Sequence, residues 1–322
     1  MTHLSGRQAT VAGGRYGASF MPLKDVLQAL AIVLIWGVNF VVIKYGVADV
    51  PPLLLGALRF MLAAFPAVLL VRRPSLPWGW VVAYGLCVGF GQFAFLFSAI
   101  KLGMPAGLAS VVLQSQAFFT LLLAGLLLHE RWQAAQILGL LCACAGLALI
   151  GLAKGGSMTA IGFGLTLAAA VCWASSNIIV RLMGKAGHTV QPLNLVVWSS
   201  LVPPLPYLAM SWWLEGPARM ELALRHFSLG SFLAVAYLAF MATLLGYGMW
   251  SRLLSRHPAN KVAPFSLLVP VVGVLTSALL LGERLSLLQA AGSVMLLAGL
   301  VVNVFGGMVL ARWRRGTVAH GA

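Results

Sequence analysis

The chain has 322 residues, 61% of them hydrophobic and only 8% charged, with a mean hydropathy of +0.97. A soluble globular domain carries roughly 25% charged residues, so this composition excludes a water-facing surface over most of a 34.1 kDa protein and makes lipid its main solvent. A formal charge of +15 could suggest nucleic acid, but the placement of the basic residues along the chain argues for membrane topology and no nucleic-acid partner.

Residues 1–21 form a polar, Gly-rich N-terminal extension with no apolar core, so no cleavable signal peptide is expected there. Ten apolar stretches follow, near 26–46, 52–71, 78–100, 105–128, 135–152, 162–183, 192–214, 228–250, 259–281 and 287–311. A helix needs about 20 residues to span hydrocarbon. The runs are far longer than the ~10 residues of a barrel strand and do not alternate. The expected fold is therefore an all-α integral membrane protein with ten transmembrane helices. A basic tail, 312–322, begins with Trp313, Arg314 and Arg315, where the last helix should leave the bilayer.

With the N-terminus in the cytoplasm, fourteen basic residues fall in inside segments and six in outside segments, leaving Arg59 within the second stretch. This bias fits the positive-inside rule for a multi-pass membrane protein with both termini cytoplasmic.

The heptapeptides LLLHERW (126–132) and LLLGERL (279–285) stand 153 residues apart. At the same offset Pro105 matches Pro258, Gln136 matches Gln289, Gly139 matches Gly292 and Gly146 matches Gly299. Earlier in each half the offset is 137, where Trp36 matches Trp173 and Lys44 matches Arg181. The 16 extra residues of the second half are assigned to a polar loop, 215–227. Two five-helix repeats result, 22–153 and 157–311. Because five is odd, they must insert with opposite orientation, which is the inverted-repeat plan of secondary transporters. The repeat-end pairs Glu130-Arg131 and Glu283-Arg284 have two readings. They stop and cap their helices at the membrane surface, where an ion pair is worth little, or they take part in transport.

Enzymatic motifs are missing. There is no phosphate loop with Lys-Ser/Thr, no HExxH and no GxSxG. All six carboxylates fall at helix ends or in loops, and all six His in loops or tails, so no catalytic residue is assigned. Cys142-x-Cys144 points its thiols to opposite helix faces and is a poor metal clip. No metal and no cofactor are expected. An integral-membrane enzyme or a passive pore remain as other classes.

Polar residues within the stretches are the candidates for substrate contact. Arg59 is expensive at that depth unless it faces a cavity or a partner. It either attracts a small zwitterion, by its carboxylate, or an anion, or else it snorkels to an interface or bonds backbone carbonyls of a neighbouring helix. Gln114 and Gln116 are about 200° apart around a helix. Ser110 and Gln114 therefore share one face, Gln116 and Thr120 another, with one face on the path and the other bonding a neighbouring helix. Asn39, Gln92, Ser175, Ser176, Asn177 and Ser266 are further polar positions. Pro264 and Pro270 are expected to break or bend the ninth helix. Trp36 and Trp173 wall the cavity or pack between the repeats. Trp78, Trp80, Trp212, Trp213 and Trp250 read as interface anchors, and Gly85-x-x-x-Gly89 as a close helix approach.

The stretches WGVNFVVIKYG (36–46), LRFMLAAFPA (58–67), GQFAFLFSAI (91–100), GMPAGLASVVLQSQAFFTLLL (103–123) and VAPFSLLVPVVG (262–273), with the two Glu-Arg pairs, resemble the EamA branch of the drug/metabolite transporter superfamily over 21–308. The closest resemblance is to its exporters of O-acetylserine and cysteine in enteric bacteria. It implies a multi-pass exporter of the bacterial inner membrane that moves small polar amino-acid metabolites by alternating access, from a site at mid-membrane between the first four helices of each repeat. Other amino acids, small metabolites or drugs are the alternative cargo. The last helix of each repeat, with Gly139, Gly146, Gly292 and Gly299, is assigned to packing or to a homodimer contact. The resemblance begins at Met21, so the first 20 residues are expected to be dispensable or absent from the mature chain.

Overall fold

The computed structural model describes residues 21–153 and 158–319, with the backbone alone for 259, 260 and 307–319. The expectation for residues 1–20 lies outside the described residues. Helices α1 (Leu23–Asp49), α2 (Pro52–Leu70), α3 (Trp78–Lys101), α4 (Ala106–Leu128) and α5 (Ala134–Leu152) make the first repeat. The second contains α6 (Ala160–Lys185), α7 (Pro192–Glu215), a short α8 (Pro217–Arg225), α9 (Leu229–Arg256), α10 (in two parts, Ala259–Ser266 and Val269–Leu281) and α11 (Leu287–Ala319). All but α8 are long and apolar enough to cross a membrane, giving the ten spans read from composition. We call the side where α1 starts the near side and the opposite one the far side.

Three details depart from the sequence reading. The polar loop at 215–227 contains α8, whose Gly216 adopts φ 86° to turn the chain into it. Helix α2 breaks at Phe65–Pro66, where proline cannot donate to the ladder. The last helix runs on to Ala319, past the expected exit at 311.

The inverted symmetry reaches into backbone detail. Helix α4 ends at His129 (φ 55°, ψ 33°) and α10 at Gly282 (φ 66°, ψ 18°), both left-handed caps and equivalent at the 153 offset. Both helices start after a proline, Pro105 and Pro258, whose ψ angles are 136° and 140°. Wide π-type turns occupy Gly85–Gln92 of α3 and Tyr237–Leu245 of α9, again equivalent to within one residue. Such turns cluster at functional sites.

Lipid offers apolar side chains as good a home as a neighbouring helix does, so close backbone approach and hydrogen bonds decide the packing. Helices α5 and α11 meet along their length through the four repeat glycines. A Cβ at Gly139 would lie 2.6 Å from the Gly299 carbonyl oxygen, and one at Gly146 would lie 2.6 Å from that of Gly292. The choice between packing and dimer contact is thus answered in part: these glycines pack inside the chain. Gly85 and Gly89 bring α3 against α7, next to Ser199, Val202 and Pro203.

Helices α4 and α10 behave differently. The far half of α10, Val269–Leu281, lies along α1 and the first turns of α4. Gly37 faces Val272, and Gly273 faces Ser110. The near half of α4, Gln116–Leu128, packs on α6 instead, while Ala259–Ser266 packs on α1 and α9. Helices α4 and α10 are thus zipped to each other on the far side and part toward the near side, where each packs on the first helix of the other repeat.

Candidate substrate site and helix clamps

Arg59 sits on α2 between the repeats and is 2% exposed. One guanidinium nitrogen, Nη2, donates to Thr243 Oγ1 at 3.0 Å, on the wide turn of α9. Nε and Nη1 have no partner among the described residues. The plane lies 3.8 Å over the Phe93 ring, with Phe60 and Phe97 at 5.1 and 5.8 Å. Cation–π contacts offset about 0.5–2 kcal/mol of the desolvation. Leaving charged donors unpaired in a buried site costs more, about 1–3 kcal/mol or beyond. A cavity of about 20 Å³ adjoins the group, bordered by Tyr84, Val88, Ser199, Ser200, Thr243 and Tyr247. That volume holds one water and excludes an amino acid, so the site is closed in this conformation. Snorkelling is excluded by the burial.

Thr243 does two jobs. Its hydroxyl accepts from Arg59 and donates to the Leu238 carbonyl at 2.8 Å, five residues back. The wide turn thereby satisfies its carbonyl with a side chain and places the hydroxyl beside Arg59. Thr243, Tyr247 and the phenylalanines were missed in the sequence. Thr243 was detectable there, as a hydroxyl in the apolar run YLAFMATLL.

The other candidates divide. Asn39 Oδ1 and Gln92 Oε1 are buried acceptors without a donor among the described residues. Trp36 donates from Nε1 to the Ala242 carbonyl at 3.0 Å and packs on Tyr247 and Trp250, so it joins the repeats. Trp250, expected as an interface anchor, is drawn into that contact. Trp173 packs, partly buried, on the main core. The two faces of α4 separate as the 200° rule requires. Ser110 and Gln114 face α10: the Ser110 hydroxyl donates to the Gly107 carbonyl of its own helix (2.6 Å) with the Pro270 carbonyl at 3.3 Å, and Gln114 donates weakly to the Ser266 carbonyl (3.5 Å). Gln116 and Thr120 face α6, where Asn177 Nδ2 donates to Gln116 Oε1 (2.9 Å) and Thr120 Oγ1 (3.1 Å). Gln116 and Asn177 are therefore interhelical bonds rather than free ligands here. Ser266 donates back to Ala263 within its own helix. Pro264 and Pro270 flank a real break at Leu267–Leu268, and Ser110 and Gln114 reach carbonyls on its two sides.

The repeat-end glutamates do not pair with the arginines that follow them. Glu283 crosses to the other repeat: its Oε1 and Oε2 accept the N–H groups of Ala106 (2.8 Å) and Gly107 (2.9 Å), at the start of α4. Glu215 treats α2 likewise, accepting from Leu53 (2.8 Å) and Leu54 (3.2 Å). A carboxylate is favoured there by the helix dipole and by the unbonded N–H groups. On the near side Glu130 Oε2 takes Arg181 Nη1 at 2.8 Å instead, and Arg131 and Arg284 are exposed. Asp25 is buried, with His257 Nε2 at 2.7 Å and Arg256 at 3.6 Å, so one carboxylate assigned to a helix end is shielded by its partners. A groove of about 920 Å³ opens on the far surface beside α8, lined among others by Lys101, Glu215 and Arg219. None of the candidate residues lines it.

The pattern of the EamA-like transporter family matches residues 23–152 and again 160–305. The chain belongs to the EamA-like transporter family. The double match falls on the two inverted repeats. Among its relatives, a probable amino-acid metabolite efflux pump of Salmonella typhimurium is 50% identical over 288 residues, covering 89% of this chain and 96% of that protein. The protein so described in Escherichia coli is 48% identical, covering 92% and 98%. A probable terminal-alkyne amino-acid exporter of Streptantibioticus cattleyicolor is 26% identical, covering 88% and 94%. A crystal structure of a protein 24% identical shares the fold, with a TM-score of 0.60 over 91% of this chain and 99% of that one.

Proposed function

We propose that this EamA-like transporter exports amino-acid metabolites across the bacterial inner membrane, with cysteine and O-acetylserine the first candidates and other amino acids the second. The observation that carries the reading is Arg59, buried between the repeats with two donor nitrogens unpaired among the described residues. A carboxylate supplies what those donors lack and does so where charge–charge hydrogen bonds are strongest. Buried acceptors without donors, Asn39 and Gln92, suit the ammonium of a zwitterion. The names of the two relatives near 50% identity support the substrate class. With the near side cytoplasmic, as the basic residues favour, substrate enters between the parted near halves of α4 and α10, and their joined far halves hold it until the helices rock.

The test is uptake of labelled cysteine and O-acetylserine into everted vesicles, with and without a pH gradient, for wild type and Arg59→Met. Saturable uptake reduced at least tenfold in the variant, with unchanged thermal stability, is the expected result. Movement of other amino acids but neither of these overturns the substrate assignment. Full transport by Arg59→Met overturns the role of Arg59.

A further inference from the structure

We infer that Glu283 and Glu130 are exchanging clamps. Each seals one side of the transporter by capping the gating helix of the other repeat, and each is held by a basic residue when its side is open. The inference rests on the alternating-access reading and goes beyond it by naming the groups that set the balance between the two conformers.

Helices α4 and α10 share an incomplete start. Proline occupies the residue before each, with nearly equal dihedrals, and offers no side-chain acceptor. The first N–H groups of a helix need an acceptor from elsewhere, more so where water is scarce. At α4 the acceptor is Glu283, both oxygens engaged. Gly107 gives it access: a Cβ there would lie 3.4 Å from Glu283 Oε2 and 3.1 Å from the backbone of Val274. Clamped this way, the loop after α10 holds the start of α4, and the far side is shut.

The same hardware stands on the near side. Glu130 follows a left-handed cap, as Glu283 does, although its cap residue is His129 rather than Gly. A non-Gly residue in that conformation is uncommon, so the turn that presents the carboxylate is kept even where the residue type disfavours it. At the 153 offset the start of α10 stands to Glu130 as the start of α4 stands to Glu283. Yet Glu130 is on Arg181. The repeat-equivalent of Arg181 is Lys44, which lies on the far side with Nζ 3.5 Å from the Ile100 carbonyl. One set of parts thus exists twice: a proline-led helix, a glutamate on a left-handed turn, and a cation to receive that glutamate. The structure shows one copy clamped and the other parked. Rocking the repeats would exchange them, with Glu283 passing to Lys44 and Glu130 passing to the first turn of α10. The exchange keeps both conformers close in energy, because each loses one clamp and gains one. This gives a reason for a chain with six acidic residues to spend two of them in the same heptapeptide.

The test is hydrogen–deuterium exchange on the purified full-length protein, read at residues 105–109 and 259–263. Glu283→Gln is expected to raise exchange at 105–109 and to lower it at 259–263, each by roughly tenfold for the loss of a charged hydrogen-bond pair. Glu130→Gln is expected to do the reverse, and the double variant to return the ratio toward wild type. Lys44→Gln, which touches no clamp in this conformer, is expected to lower exchange at 105–109 by removing the parking place, and it serves if Glu283→Gln does not fold. Loosening at 105–109 with 259–263 unchanged, together with silence from Lys44→Gln, would make Glu283 a simple staple and overturn the exchange. No substrate enters this measurement. A reciprocal pattern with no movement of cysteine or O-acetylserine would sustain the clamps and sink only the substrate assignment.

Discussion

Two pairs of symmetry-related helices bring the repeats together, and they do so in opposite ways. Helices α5 and α11 touch backbone to backbone through four glycines. Helices α4 and α10 meet mainly in their far halves, through Ser110, Gly273 and Glu283, with Gln114 reaching the Ser266 carbonyl at the break. The first seam leaves no space for a side chain at its glycines; the second is a set of replaceable hydrogen bonds beside a broken helix. A carrier needs both, a fixed seam to keep the repeats together and a separable one to let them alternate.

The contrast can be broken most severely at the fixed seam. Gly146→Leu would put side-chain atoms into the Gly292 carbonyl, and is expected to destabilise the fold by about 3 kcal/mol, seen as a lowered melting temperature or loss of folded protein. Gly164→Ala is the control, because nothing lies within 4 Å of a Cβ there. The separable seam should respond in transport before stability. At Gly273 a Cβ would lie 2.4 Å from Ser110 Oγ. Gly273→Ala is therefore expected to cut export more than tenfold while moving the melting temperature by only a few degrees, and adding Ser110→Gly should restore transport. If Gly273→Ala unfolds the protein as Gly146→Leu does, the two seams are alike and the comparison fails. A smaller effect is expected where α4 meets α6: Asn177→Ala removes two hydrogen bonds worth about 0.6 kcal/mol each in a membrane protein, and should leave most export intact. Smallest is His129→Gly, expected to gain up to ~0.5 kcal/mol in thermal unfolding by relieving the left-handed residue.

Much of this was legible in the sequence because lipid simplifies the alphabet. Ten spans followed from apolar run length, and the inverted repeat from matched Pro, Glu, Gln and Gly at one offset. The division of Ser110 and Gln114 from Gln116 and Thr120 followed from helix geometry alone. What stayed hidden was anything requiring knowledge of who faces whom. Glu283 reads in sequence as the end of its own helix, yet it caps a helix 177 residues away. Asp25 reads as a helix-start charge, yet it lies buried against His257. Helix α8 was hidden for another reason: nine residues with several charges carry no span-length signal. The aromatic bed of Arg59 was invisible because Phe93 and Phe97 look like any other apolar residue in a membrane stretch.

The wide turns in α3 and α9 also have a kinematic side. Such a turn stores an extra residue within the helical register. If the turn in α9 passed that residue along, everything beyond it would rotate by about 100° about the helix axis, carrying Tyr247 and the contacts of Trp36 with it. Arg59 is bonded to Thr243, one hydrogen bond from the carbonyl that the turn has loosened. A ligand that draws Arg59 toward itself therefore pulls on a gear tooth that the other repeat lacks, because Val196 and Phe90 stand at the positions equivalent to Arg59 and Thr243.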